Sequence, residues 1–234
     1  MAAGISVLMI SGCATQQVHM VEPGIYKIPL VLPESLEAQR GSLEQSLLNA
    51  QRRLREFALG NGWGHFVEER FAHRAEIYDD QRSFVQALLT AAGADSSTEL
   101  PKEVSAALEK GVFMSVSPAV YSRIYPEGIE EAAFEKLIAH EMAHRLHIRI
   151  LGGNEDAMGP TWFFEGFAIY AAGQFSDASL PPDEVWKVVR ETERGSYRRY
   201  AAVMRHFLKR TSIQDLVTRA GDGDFLDWLA RLEP

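Results

Sequence analysis

A single carboxylate, Glu165, sits inside the run TWFFEGFAIYAAGQF, enclosed by Trp162, Phe163, Phe164, Phe167, Ile169 and Tyr170. So many aromatic and aliphatic side chains belong in a core, and the run must carry Glu165 in with it. On a helix starting at Pro160, Glu165 shares a face with Trp162, Ala168 and Ile169, a face that is ordinarily all apolar. A buried ionised carboxylate is costly unless it is paired or holds a cation. Any fold open to this chain therefore has to bring a positive partner to Glu165.

The upstream stretch LIAHEMAHRLH, Leu137 to His147, offers one. Residues four apart on a helix lie on one face with β-carbons about 5–6 Å apart, so His140 and His144 can present imidazole nitrogens to one ion. Glu141 lies about 100° round the helix, where its carboxylate can reach a water molecule beside the ion without ligating the ion. Leu137, Ile138, Ala139, Met142, Ala143 and Leu146 surround the motif with apolar side chains, and polar groups in such a setting need partners. A catalytic zinc usually takes three protein ligands and keeps one position open, and Glu165 is the candidate third. His147 shares the histidine face, but a His144 and His147 pair lacks a glutamate in the base position. It is expected beside the ligands or at the surface.

Together these segments resemble the gluzincin metallopeptidases, the thermolysin- and aminopeptidase-like group in which HExxH is followed by a glutamate ligand on the next helix. HEMAH at 140–144 and WFFEGFAIY at 162–170 carry the likeness, with 20 residues between His144 and Glu165. The W-x-x-E-G-x-A-x-Y form is similar to MA-like bacterial peptidase families, in which a strand, the HExxH helix, the EGxA helix and a tyrosine-bearing helix follow in order. The likeness is specific over 140–170 and looser over 66–228. It implies an α+β, zincin-like fold, with a small sheet whose edge strand packs on the HExxH helix and a mostly helical C-terminal half. It also implies Zn2+ on His140, His144 and Glu165, Glu141 as general base, and a peptide or protein substrate. The metzincin pattern fails, because it requires Gly and His where this chain has His147 and Ile150. Related families place an oxyanion donor on the helix after EGxA, which makes Tyr197 and Tyr200 in GSYRRYAAVMRHFL the candidates, with Tyr170 and His206 competing. The second reading is a non-catalytic lipoprotein of the same fold that acts in binding or envelope assembly. Glu141 favours the enzyme, since a scaffold has no physical need for it.

Composition limits the partners. With 24 basic and 32 acidic residues the net charge is −8, which repels a phosphate backbone and argues against nucleic acid. The one basic segment carries Arg190, Arg194, Arg198, Arg199, Arg205, Lys209 and Arg210, and reads as a solvated helix face paired with nearby acids. The only cysteine, Cys13, ends the apolar segment AAGISVLMISGC. Ile10-Ser11-Gly12-Cys13 resembles the lipobox of bacterial lipoproteins, although no Lys or Arg precedes the apolar run. The run is too short to span a bilayer, which takes about 20 apolar residues, and suits a signal-peptide core. The resemblance implies lipidation at Cys13 and, with Ala14 next, an outer-membrane destination facing the periplasm of a diderm bacterium.

The expected organisation is then a signal peptide over 1–12, a tether or edge segment over 13–35, and one domain over 36–234. That domain divides into an α/β part, 36–127, and a helical part, 128–234. Leu36, Leu43, Leu47, Leu48, Leu54 and Phe57 predict a helix over 35–59, stopped by Gly60-Asn61-Gly62. A strand is expected within 65–78, a helix from Asp79-Asp80 through Leu89, and a polar loop over 91–101. GVFMSVSPAVY, 111–121, reads as a strand that Pro118 marks as an edge, against which an extended substrate could pair. The motif helix is expected to begin near 128–130.

Overall fold

The computed structural model describes residues 19–191 and 194–233, so Cys13 and the apolar segment before it lie outside the described residues. Strands β1 (Met20–Glu22) and β2 (Ile25–Tyr26) form a small hairpin, and β3 (Leu30–Val31) follows. Helix α1 spans Arg40–Gly60; it buries Leu43, Leu47, Ala50, Leu54 and Ala58 at helical spacing, and Gly62 turns the chain out at φ 77°. Then come β4 (Arg74–Tyr78), α2 (Gln81–Ala92), β5 (Ala106–Glu109), β6 (Val112–Val116) and α3 (Pro118–Ile124). Asp80 caps α2 by accepting from Ser83 N at 2.9 Å, and Gly93 ends the helix in the left-handed conformation. The C-terminal half is helical: α4 (Ala133–Ile150), α5 (Thr161–Ala172), α6 (Pro182–Val189), α7 (Tyr197–Leu208), α8 (Ile213–Arg219) and α9 (Phe225–Arg231). The fold is thus α+β, with a small mixed sheet on the N-terminal side and helices beyond.

The sheet runs β3-β4-β6-β5; β3, β4 and β6 are parallel and β5 is antiparallel. This corrects the expected edge strand. Segment 111–121 is strand only over Val112–Val116, and β6 is paired on both sides, with Phe113, Met114, Ser115 and Val116 all buried. Pro118 opens α3, where its missing N–H costs nothing, and Ser117 caps that helix. The free edge on this side belongs to β5, joined to β6 by Lys110 at φ 47° and Gly111 at φ 76°. Two left-handed central residues are what a tight hairpin requires. AALE gave no warning of a strand, because it has no β-branched or aromatic residue.

Over residues 25–31 the edge alternative holds and the tether does not, since Ile25, Ile28 and Leu30 are buried and buried Gln51 of α1 bonds both Tyr26 N and Tyr26 O. One further expectation changes. The motif helix starts at Ala133, with Ala132 left-handed at φ 56°. Helix α1 packs on α4, α4 on α5, and α5 on α7. Arg149 fixes the end of α4 by donating to the carbonyls of Phe66, Glu69 and Arg70.

Candidate metal centre

Helix α4 is continuous through the motif and presents His140 and His144 toward α5, which buries Glu165 to 1% exposure. The two Nε2 atoms are 3.1 Å apart, and Glu165 Oε2 lies 3.2 Å from the first and 3.6 Å from the second. An ion about 2.0–2.1 Å from each of three tetrahedral ligands sets those ligands about 3.3–3.4 Å apart. The three observed separations bracket that figure. Glu165 Oε2 accepts no well-formed hydrogen bond among the described residues although it is fully buried. Such an orphan oxygen is costly in an interior, and a cation held with the two imidazoles supplies its missing partner. The residues present therefore fit a divalent metal ion, and His140, His144 and Glu165 form a buried group able to hold one.

Surrounding contacts set the donor atoms. His140 Nδ1 lies 2.9 Å from Gln174 Oε1; with the N–H there donating to the amide oxygen, Nε2 keeps its lone pair for an ion. Gln174 follows the helix stop at Gly173, which is left-handed at φ 69°, and its N–H bonds back to Ile169 O. The other carboxylate oxygen, Oε1, accepts from Arg194 Nη2. The same Nη2 donates to the Tyr197 hydroxyl at 2.7 Å, and the Tyr197 ring stacks on His140 at 5.5 Å between centroids. Burial works to raise the Glu165 pKa, but His140 and His144 outweigh it and hold the carboxyl well below its usual range. Burial likewise opposes charge on His140, yet Glu165 beside it moves the ring's pKa upward. Burial first, then Glu165, pushes the Tyr197 hydroxyl well above its ordinary value, so it keeps its proton and remains a donor.

The sequence candidates separate here. Glu141, half-buried, faces the same cleft as the histidines but stands outside the ligand trio. Tyr197 lines the cleft, whereas Tyr200 is 1% exposed and its hydroxyl accepts from Gly195 N, which anchors the loop entering α7. Tyr170 stacks edge-on against Phe57, and His206 pairs with Glu233; neither lines the cleft. His147 is neither exposed nor bonded to the ligands: it is fully buried against Phe163 and Phe167, with both ring nitrogens unpaired among the described residues. Within the basic segment, Arg198, Arg199 and Arg210 pair with Asp177, Glu191 and Glu233 as expected, but Arg194 turns inward to Glu165. Gln174 and Arg194 are the site residues that motif spacing did not disclose. A polar residue closing the apolar run AAGQF was the one available signal for Gln174.

The cleft itself encloses about 710 Å³. Tyr121, Ile124, Tyr125 and Leu137 form an apolar wall, His140, Glu141 and His144 lie along it, and Val104, Ser105 and Ala106 bring the start of β5 to its mouth. No protein-family model, curated protein or solved structure matches the chain.

Proposed function

We propose that this chain is a zinc-dependent peptide hydrolase of the gluzincin type, anchored in the bacterial cell envelope through Cys13. The observation that carries the metal reading is the orphan oxygen of Glu165, buried between two imidazole nitrogens at tetrahedral spacing. Zinc is the natural occupant of a closed N,N,O trio, although the same donors accept other divalent ions. When bound, the ion supplies Lewis acidity to the scissile carbonyl and to water.

The chain's own residues would do the rest. Glu141, placed in the cleft but outside the ligand set, takes a proton from the attacking water and returns it to the leaving amine as the C–N bond breaks. Tyr197, protonated and lining the cleft, donates to the carbonyl oxygen as negative charge develops there. The outer edge of β5 is free of strand partners among the described residues and can pair with an extended peptide, the role that β6 cannot fill. The envelope assignment rests on ISGC at the end of a short apolar run, and no helix of the described residues is long and apolar enough to cross a membrane.

Glu141→Gln isolates the chemistry from the metal. It keeps the side-chain shape and removes the base, so zinc content and melting temperature should stay near wild type while cleavage of a mixed peptide library falls by at least about 10²–10⁴-fold. Wild type and Glu141→Gln cleaving at equal rates would sink the mechanism. A metal-loaded wild type with no hydrolysis in that library would favour the binding or assembly role.

A further inference from the structure

We infer that Arg194 is a positioning residue for the third ligand: its guanidinium takes one oxygen of Glu165 so that only the other is offered to the ion. The inference rests on the metal-site reading. Glu165 is 1% exposed, so water cannot orient its carboxylate. Oε1 is engaged by Arg194 Nη2, while Oε2 faces the two imidazoles at 3.2 and 3.6 Å. Arg194 reaches this point from the loop before α7, and that loop is itself fixed: Gly195 N–H donates to the buried Tyr200 hydroxyl. Tyr197, which accepts from the same Nη2, ties the guanidinium to the ring stacked on His140. A guanidinium suits this work, because the two N–H groups of Nη2 are fixed in the guanidinium plane and can hold a carboxylate and a hydroxyl at once.

Two effects of Arg194 oppose each other. Its hydrogen bond orients Glu165 and favours metal binding, while its positive charge repels the ion and disfavours it. The sign of the change on removing Arg194 shows which dominates. If positioning does, metal binding weakens; if charge repulsion does, it tightens.

The experiment measures zinc dissociation constants of the full chain by competition with a chromophoric chelator, for wild type, R194A, R194K and Y197F. R194A should bind zinc about 10–100-fold more weakly, the range for losing a residue that orients a ligand. R194K, which keeps a cation but loses the fixed guanidinium plane, should fall between R194A and wild type, and Y197F should stay near wild type because it leaves the Arg194 to Glu165 bond in place. The Arg194 side chain is 53% exposed, so its removal leaves a path from solvent. Guanidinium at roughly tens of millimolar, far below the molar range that unfolds proteins, should therefore restore zinc affinity to R194A where equal sodium chloride does not. Melting curves identify any loss of fold, in which case R194K against wild type carries the comparison. Zinc affinity in the folded Arg194 variants equal to or tighter than wild type, or no rescue of R194A by guanidinium, overturns the positioning role. A wild type that takes up no zinc defeats the metal-site reading itself, and that result needs no variant.

Discussion

Among the described residues, His147 has no partner for either ring nitrogen. Burial lowers its pKa from 6.5 to about 3, with a smaller push from His144, so the folded protein holds it neutral at any pH near 7. In the unfolded chain the ring takes up a proton below about 6.5, so the unfolded state binds more protons throughout the window between the two values. The contribution is fully present above pH 6.5 and is lost as pH falls toward 3. At about 1.4 kcal/mol per pH unit below 6.5, His147 alone removes about 2 kcal/mol of stability between pH 7 and pH 5. Its orphan nitrogens cost on the order of 1–3 kcal/mol more at any pH. His147→Leu should therefore be at least as stable as wild type at pH 7 and should lose about 2 kcal/mol less on going to pH 5. Denaturant unfolding of both proteins at the two pH values checks this, and subtracting one from the other cancels the remaining titrating groups. Zinc content should be unchanged in the variant. If it fell, His147 would have to touch the metal site in a way its stacking on Phe167 does not provide.

Helix α5 meets α7 through Gly166, where a β-carbon would overlap Cγ of Met204 and stand 3.1 Å from its sulfur. The glycine after Glu165 is therefore there for closeness, since α7 carries Tyr197 and its approach decides how far that tyrosine reaches over His140. Gly166→Ala gains about 1 kcal/mol of helix propensity but overpacks a buried contact at about 1–3 kcal/mol, so it should destabilise on balance. Against Met204→Ala the clash is gone and only the propensity gain remains. The same substitution should then stabilise, and thermal melts of the four proteins read the change of sign. Close approach of this kind also marks where sequence reading succeeds and where it stops. The motif helices and the trio His140, His144 and Glu165 were readable because helical spacing is local and a lone carboxylate among aromatics has few explanations. Strand β5, the inward turn of Arg194 and the burial of His147 were not, because each depends on what packs against it from elsewhere in the chain. GVFMSVSPAVY misled at Pro118 because Pro in a β-like run signals a helix start as readily as a sheet edge.

The N-terminal segment joins the proposed anchor to the domain, and the fold makes it more than a connection. Ile25, Ile28 and Leu30 are buried, β3 completes the sheet against β4, and Gln51 spends its amide on Tyr26. Three aliphatic side chains at about 1.5–3 kcal/mol each sum to several kcal/mol, a large part of the 5–15 kcal/mol that typically holds a domain together. A chain begun at His19 should keep the melting temperature and zinc content of the full-length protein. One begun at Ser35 should melt far lower and lose zinc, because α1, which packs on α4, would lose its packing against β2 and the Gln51 bonds to Tyr26. Lipidation makes the complementary demand on the residues before His19. In a Gram-negative host the full-length protein should partition into detergent, while Cys13→Ala and the His19 chain should escape lipid attachment yet still bind zinc. Detergent partition with Cys13→Ala unchanged would remove the lipid anchor from this account, and a stable, zinc-loaded chain begun at Ser35 would show that the β3 edge is dispensable to the metal centre.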